Sequence, residues 1–221
     1  MGAKTWMLVY ADKGVDPRIA LAHEPAPDRG KTDAFVSRLF PADTVQREGD
    51  VDLSDTCPRG RDVHAGWYDG VRVVASKEIA LDHPSTLPKA FIDEAGDGDL
   101  YLHAMHSTVD WLAFAIWKQG RLVRALSLSP ESGLLENIGE PLDFERPYWQ
   151  GAHPVFDEDS GEDPQAYPFV FHPLELGEAA LKAYFGYQLE GVADDSLVAP
   201  ERVALFRYTR RPARPWWKFW A

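Results

Sequence analysis

The sequence feature that most constrains the fold is a run of apolar residues, Trp111–Trp117, that leads directly into a turn. Nearly every residue of this run is apolar, which is typical of a strand covered on both of its faces. Lys118, Gln119 and Gly120 follow, and glycine at the end of a turn can adopt a positive φ. The run therefore predicts the first strand of a β-hairpin.

The second strand of this hairpin is predicted by a change of pattern after the turn. Polar and apolar residues alternate from Val123 to Ser129, and Pro130 with Gly133 ends the alternation. A period of two predicts a strand with two distinct faces. One face would carry Val123, Ala125, Ser127 and Ser129, and the other Leu122, Arg124, Leu126 and Leu128. We expect this hairpin to form the centre of the sheet.

The remaining patterns predict more strands than helices. A helix should begin at Asp28 or Thr32 and end at Phe40, and another should follow Pro173 and stop at Gly186. Further strands are predicted over Lys4–Ala11, Val71–Leu81, Leu100–Ser107 and Val203–Tyr208, a short helix at Pro84, and loops over 41–62 and 146–168. The expected fold class is α+β, with a mainly antiparallel sheet and two or three helices packed on one face of it.

The charge distribution separates a body from a tail. The chain has 221 residues and a net charge of -12, yet residues 207–221 contain five cations and no acid. We therefore expect a single domain over 1–206 and a basic, tryptophan-rich tail over 207–221. An acidic body argues against nucleic acid as a partner, because phosphate neutralisation needs clustered lysine and arginine.

Three observations predict a cytoplasmic location. No stretch approaches the roughly 20 apolar residues that cross a bilayer. The segment Met1–Asp12 lacks the apolar core and cleavage site of a secretory signal. Cys57 is the single cysteine, so no intramolecular disulfide can form.

Several spaced motifs resemble those of an actinobacterial family of uncharacterised proteins. The motifs are Gly2–Met7, His103–Ser107 with Val109–Trp111, Leu126–Pro130, Gly139–Leu142 and His172–Gly177. The resemblance extends over nearly the whole chain up to about Tyr208, and it implies one full-length domain. It implies no activity, cofactor or catalytic residue.

The densest cluster of chemically capable side chains lies where the chain enters the hairpin. His103, His106 and Asp110 have the side chains of a metal site or of an acid–base pair. Residues three apart on a strand point to opposite faces, so the two histidines would converge only if the strand ended in a turn near residues 105–107. The alternative is a structural histidine beside an aspartate that caps a turn.

Other motifs give weaker indications of chemistry. Gly30-Lys31-Thr32 resembles the end of a phosphate loop, but Pro25 stands where that loop needs a glycine, and a helix start explains the motif better. The acidic segment 157–163 departs from a calcium-binding loop at three positions and is expected to be a solvated loop. Arg59 and Arg61 could lower the pKa of the Cys57 thiol. The sequence assigns no cofactor.

The tail has a composition typical of contact with a partner or with a membrane. Tryptophans interleaved with cations suit the bilayer interface, and they equally suit a groove on a protein partner or on a second copy of the chain. The expected contact residues are Arg210, Arg211, Arg214, Trp216, Trp217, Lys218 and Trp220.

Three functional hypotheses follow. The leading one is a non-catalytic interaction module with a basic aromatic tail, because no complete catalytic constellation is present in the sequence. The second is an enzyme, hydrolase-like or metal-dependent, with catalytic residues His103, His106 and Asp110. The third is a peripheral membrane protein that binds lipid through its tail.

Overall fold

A computed structural model describes residues 2–155, 168–191 and 194–213 of the chain. Nine strands form one sheet in the order β2-β9-β3-β4-β1-β5-β6-β7-β8, and every neighbouring pair is antiparallel. The strands are β1 Lys4–Ala11, β2 Asp43–Asp52, β3 Val63–Trp67, β4 Val71–Ser76, β5 Asp99–His106, β6 Trp111–Lys118, β7 Arg121–Ser129, β8 Gly133–Ile138 and β9 Ala204–Pro212. The predicted antiparallel sheet is confirmed.

Helices cover both faces of the sheet in the described residues. The five α-helices are α1 Pro17–Ala22, α2 Arg29–Leu39, α3 Lys89–Asp93, α4 Arg146–Trp149 and α5 Pro173–Phe185, and short 3₁₀ helices span Lys77–Ile79, Pro84–Thr86 and Pro200–Arg202. Helices α1, α4 and α5 pack on one face, which we call the α5 face, and α2 and α3 pack on the other, the α2 face. The expectation of two or three helices on one face is therefore wrong.

The ends of the two longest helices follow from local chemistry. The Asp28 carboxylate accepts a 2.9 Å hydrogen bond from the Lys31 amide, so Asp28 is the cap of α2. Thr32 lies inside the helix, where its hydroxyl donates to the Asp28 carbonyl and accepts from the Trp67 amide. Helix α5 begins at Pro173 and ends before Gly186, which has a φ of 76°. The predicted position of α5 is confirmed.

The predicted hairpin forms, with two differences. The pairing of β6 with β7 shifts between Ile116 and Trp117, so that Val123 has no partner in the register. Leu122 consequently packs on the α2 face, opposite to Leu126 and Leu128. The hairpin is also not at the centre of the sheet, because β1 occupies the middle position.

Three strands, β2, β3 and β8, lie where the sequence predicts none. Residues 41–62 contain β2, an edge strand that alternates between half-buried and exposed positions and in which half of the residues are charged. Such a composition resembles a loop, and the strand depends on long-range pairing with β9. Strand β8 forms the other edge by pairing with β7. The predicted loop over 146–168 also begins with the short helix α4.

A buried ion pair joins β7 to the segment before α4. Both Arg124 and Glu145 have fully buried side chains, and the Arg124 Nη2 lies 2.6 Å from the Glu145 Oε2. The guanidinium also donates to the Asn137 side chain and to the carbonyls of Ile138 and Gly139 at the end of β8. Arg124 therefore fixes the edge of the sheet.

Replacing Glu145 with alanine should destabilise the fold by about 3–5 kcal/mol, because the Arg124 charge would stay buried without its partner. The free energy of unfolding from urea titration measures this loss. The control is Asp143→Ala, since that carboxylate is fully exposed and lies 3.7 Å from Arg146; its effect should stay within about 0.5 kcal/mol. Equal effects of the two substitutions would contradict the role of the buried pair.

Candidate functional site

Several strands bring side chains together at the end of the sheet where β1 begins, which we call the Lys4 end. Strand β5 ends there and β6 begins there, because neighbouring strands are antiparallel. Lys4 pairs across strands with His106, and His106 pairs with Trp111. One row of three residues from three strands thus points to the same face of the sheet.

Aromatic rings dominate the α2 face at the Lys4 end. The rings of Trp6 and His106 stack with centroids 5.7 Å apart. The Trp111 indole N–H donates a 3.2 Å hydrogen bond to the Ser127 hydroxyl, which fixes its ring. Ala104 lies between Trp6 and Ala113 in the register and is small, so the rings are not displaced by a neighbouring side chain.

These rings line an open groove with a volume of about 1400 Å³. A segment of the chain between β2 and β3 forms one wall, and the Trp6 amide donates a 2.9 Å hydrogen bond to the Thr56 carbonyl of that segment. Residues near 77–82, the β5–β6 turn, the β7–β8 turn and Leu189 with Glu190 complete the groove. The groove therefore collects residues from distant parts of the sequence.

Charged side chains of both signs line the groove. Its cations are Lys4, Arg59, Lys77 and Arg207, and its acids are Asp55, Asp62, Asp82, Glu131 and Glu190. Within the described ranges none of the four cations forms an ion pair, whereas buried arginines elsewhere, such as Arg124 and Arg210, do. The groove thus presents charges that remain available to a partner.

His103 lies on the α5 face, away from the groove, and is 2% exposed. Its Nε2 lies 3.0 Å from the Gly177 carbonyl of α5, and its Nδ1 is buried without a hydrogen-bond partner in the described residues. Burial lowers the pKa of His103 to about 4, although the bond to Gly177 opposes this shift. The ring is therefore neutral and packs as part of the core.

His106 points to the opposite face from His103, because β5 continues as a strand through His106. Partial burial and then the nearby Lys4 ammonium lower the pKa of His106 below its usual value. Its Nδ1 accepts a hydrogen bond from the Thr108 amide. The structure therefore does not bring the two predicted catalytic histidines together.

Asp110 lies in the β5–β6 turn with a φ of 46°. One of its carboxylate oxygens is 3.6 Å from the Nε2 of His172, the residue that caps α5. His172 was not among the predicted site residues, since only the fold brings it next to Asp110. In the described part of the chain, no group of three or more His, Cys, Asp or Glu side chains is placed to hold a metal ion.

Cys57 is half-buried and lines the groove. Burial, followed by the Asp55 carboxylate, raises the pKa of its thiol, and these effects outweigh Lys4 and Arg59. Arg59 does act to lower the pKa, as the sequence suggests, but the net shift is upward, which does not favour a reactive thiolate. Helix α2 begins with a turn that contains Gly30, Lys31 and Thr32. This agrees with the interpretation of the motif as the start of a helix.

The predicted contact residues of the tail divide into two groups. Arg210 is 5% exposed within β9, pairs with Asp43 at 3.0 Å and with Glu78, and covers the Phe40 ring at 3.8 Å. It is engaged inside the domain, and the predicted boundary at residue 206 falls inside β9. Arg211 is exposed in the same strand. Arg214, Trp216, Trp217, Lys218 and Trp220 lie outside the described residues, as does segment 157–163.

The groove also contains residues that sequence analysis did not assign to a site. Trp6 lies in a strand predicted only as core, and His64 on β3 is buried with its Nδ1 2.6 Å from the Asp55 carbonyl. Trp6 could have been identified from its position two residues after Lys4, because residues two apart on a strand point to the same face. Arg59 and Lys77 carry no local signal, because their positions depend on long-range pairing.

The neutral, buried His103 predicts a pH-dependent loss of stability. Its folded pKa of about 4 lies below the value near 6.5 of an unfolded histidine, so the stabilisation is complete above pH 6.5 and is lost as pH falls towards 4. Between pH 7 and pH 4 the free energy of unfolding of the wild type should fall by up to about 3 kcal/mol more than that of His103→Gln. Chemical unfolding at several pH values measures the difference. The exposed His23→Gln is the control and should follow the wild type; identical slopes for wild type and His103→Gln would contradict the prediction.

Comparison with known proteins identifies a family that covers nearly the whole described fold. No helix in the described ranges is both long and apolar enough to cross a bilayer. Neither a curated protein nor a solved structure matches the chain. A family model described as Family of unknown function (DUF6928) matches residues 5–208, from the second residue of β1 into the last strand. The resemblance to a family of uncharacterised proteins is confirmed, and the chain belongs to this family of unknown function.

Proposed function

We propose that the protein is a non-catalytic interaction module that binds a segment of a protein partner in the groove at the Lys4 end. The observation that carries the proposal is the groove itself. Three rings on adjacent strands line it, those of Trp6, His106 and Trp111. Beside them lie four cations that form no ion pair within the described part of the chain. No catalytic role is needed to explain this arrangement.

The size and openness of the groove favour a chain segment as the ligand. Pockets for small molecules usually enclose about 300–1,000 Å³ and surround most of the ligand. The groove is larger, at about 1400 Å³, and it extends from the β7–β8 turn to the segment before β3. A peptide segment could follow that path and contact both walls.

The residue types in the groove are those that dominate protein interfaces. Tryptophan and arginine are enriched among the residues that contribute most to binding. Trp111 is 8% exposed and held in place by Ser127, so its ring would be ordered before binding, which lowers the entropy cost. Charges of both signs suit a protein surface better than a uniformly anionic nucleic acid.

The other functional hypotheses receive less support from the described residues. The catalytic hypothesis needed His103 and His106 on one concave surface, and they lie on opposite faces of the sheet. The membrane hypothesis depended partly on Arg210, which is buried in ion pairs. The interaction hypothesis needs neither convergent histidines nor a free Arg210, because it rests on the groove.

Site-specific photo-crosslinking tests the proposal directly. A photoreactive residue at Val109, which is exposed in the groove, should capture a defined protein from a lysate of the source cells. The same residue at Lys118, which is exposed at the opposite end of β6, should not capture that protein. Mass spectrometry identifies the captured protein and the crosslinked peptide.

Charge reversal then tests whether that partner uses the groove. Arg59→Glu and Lys77→Glu should each weaken the affinity for the purified partner by roughly tenfold, the effect expected when an available charge pair becomes repulsive. Lys118→Glu is the matched control, and its affinity should equal that of the wild type. Capture at both crosslinker positions, or equal affinities for all three variants, would overturn the proposal.

A further inference from the structure

The last strand of the sheet runs towards the groove. Strand β9 pairs Tyr208 with Val63, the first residue of β3, and Arg207 of β9 already lines the groove. Val63 also pairs with Ser76, the last residue of β4, and this end of β4 lies beside the start of β1. Tyr208 therefore marks the Lys4 end of the sheet within β9.

The described chain continues a short way past this point. Strand β9 extends to Pro212, and the Ala213 amide donates a 3.1 Å hydrogen bond to the Ala42 carbonyl. Residues 214–221, which we call the distal tail, follow in the sequence and lie outside the described residues. The distal tail is therefore attached at the same end of the sheet as the groove.

The distal tail is long enough to enter the groove. Neighbouring strands lie about 4.8 Å apart, and β1 is three positions from β9 in the sheet, so roughly 15 Å separate the two strands. An extended chain spans about 3.3 Å per residue, so residues 214–221 can cover roughly 25 Å. The groove wall formed by residues 77–82 follows β4, which is closer to β9 than β1 is. This wall is therefore within reach of the distal tail of the same chain.

The cations of the distal tail match acids of the groove. Arg214 and Lys218 are the charged residues within 214–221, and no acid accompanies them. Asp62 immediately precedes β3 and Asp82 lies in the segment after β4, the two strands that separate β9 from β1. In the part of the chain that the structure describes, neither carboxylate forms an ion pair. Both acids are therefore available to the cations of the distal tail.

The aromatic side chains of the distal tail match the remaining surface of the groove. The exposed cations Arg59 and Lys77 form no ion pair among the described residues, and a cation is attracted to the face of an indole ring. The half-buried ring of Trp6 adds apolar surface of the kind on which other aromatic rings pack. The rings that the distal tail offers are those of Trp216, Trp217, Phe219 and Trp220.

We propose that the distal tail binds in the groove of its own chain, between Asp62 and residues 77–82, and that a partner displaces it. A segment attached through so short a linker has an effective concentration on the order of millimolar, so modest contacts suffice to hold it. A second copy of the chain would offer the same segment only at its concentration in solution. The intramolecular contact is therefore favoured.

Displacement by a partner rests on the proposed function, whereas occupancy of the groove by the distal tail does not. Occupancy is measured on the purified chain, without a partner. A protein that captures a partner but never crosslinks to its distal tail contradicts only the contact with the distal tail. The reverse result contradicts only the proposed function.

Photo-crosslinking within the purified full chain tests occupancy. A photoreactive residue at Lys77, which is exposed in the groove, should crosslink to a peptide from residues 214–221. The matched control position is Thr44, an exposed residue of β2 that pairs with Arg211 and does not line the groove. A distal tail that only samples the surroundings of its attachment point would react at Thr44 at least as well.

The yield at Lys77, measured by mass spectrometry, should exceed the yield at Thr44 at least tenfold. Equal yields at the two positions, or no peptide from the distal tail at Lys77, would overturn the proposal.

Isotope labelling separates the chain's own distal tail from that of a second copy. A mixture of ¹⁵N-labelled and unlabelled chains, both with the photoreactive residue at Lys77, should give crosslinks only between segments of one label. Crosslinks of mixed label would assign the groove to a second copy and would overturn the intramolecular contact.

Substitutions in the distal tail separate docking from proximity. Trp216→Ser combined with Trp217→Ser removes two rings and should lower the crosslinking yield at Lys77 roughly tenfold. Pro215→Ala combined with Ala221→Ser alters the same segment without loss of rings or cations and should keep the wild-type yield. Equal yields in the two double variants would overturn the proposal.

The same variants test displacement once the partner is purified. If the distal tail covers the groove in nine of ten molecules, the apparent affinity for the partner is reduced about tenfold. The double variant without Trp216 and Trp217 should therefore bind the partner up to tenfold more tightly than the wild type. An unchanged affinity, together with crosslinking of the distal tail at Lys77, would overturn displacement.

Discussion

The burial of β1 on both faces is the constraint on which the rest of the structure depends. From Met7 to Ala11 every residue of this strand is buried, and it occupies the middle of nine strands. Because successive side chains point to opposite faces, one hydrophobic cluster cannot bury them all. The chain therefore forms two clusters, one under α1, α4 and α5 and the other under α2 and α3.

The groove arises where this two-sided cover ends. At the first residues of β1, strand β4 has already ended at Ser76, and the Trp6 amide pairs instead with the Thr56 carbonyl. An irregular segment thus replaces a strand, and the half-buried rings of Trp6 and His106 line the groove beside the buried ring of Trp111. The same groove is bounded by Leu189 and Glu190, so α5 connects the core of the α5 face to the groove wall.

The sequence predicted the parts of the fold that local patterns determine. The apolar run of β1, the turn at Gly120 and the stop of α5 at Gly186 each have a local cause, and each is confirmed. Strand β2 was not predicted, because its charged side chains suit an edge and its pairing with β9 spans over 150 residues. The displacement of Leu122 to the other face follows from a bulge that a strict alternation cannot reveal.

The candidate site was predictable only in part for the same reason. Strand parity alone indicated that His103 and His106 would separate unless the chain turned before His106, and the structure shows no such turn there. The contact of Asp110 with His172 and the convergence of Arg59 and Lys77 depend on the order of the strands. Long-range topology, which a single sequence does not display, assembles the groove.

We propose that a partner binds at the Lys4 end of the sheet. Hydrogen exchange of the whole chain, measured by mass spectrometry with and without the captured partner, tests it most directly. If a partner binds in the groove, new protection should be concentrated in residues 2–6, 54–62 and 106–111, and the β6–β7 turn at the opposite end should be unchanged. Protection confined to the edge strands β2 or β8, with these three segments unaffected, would contradict it.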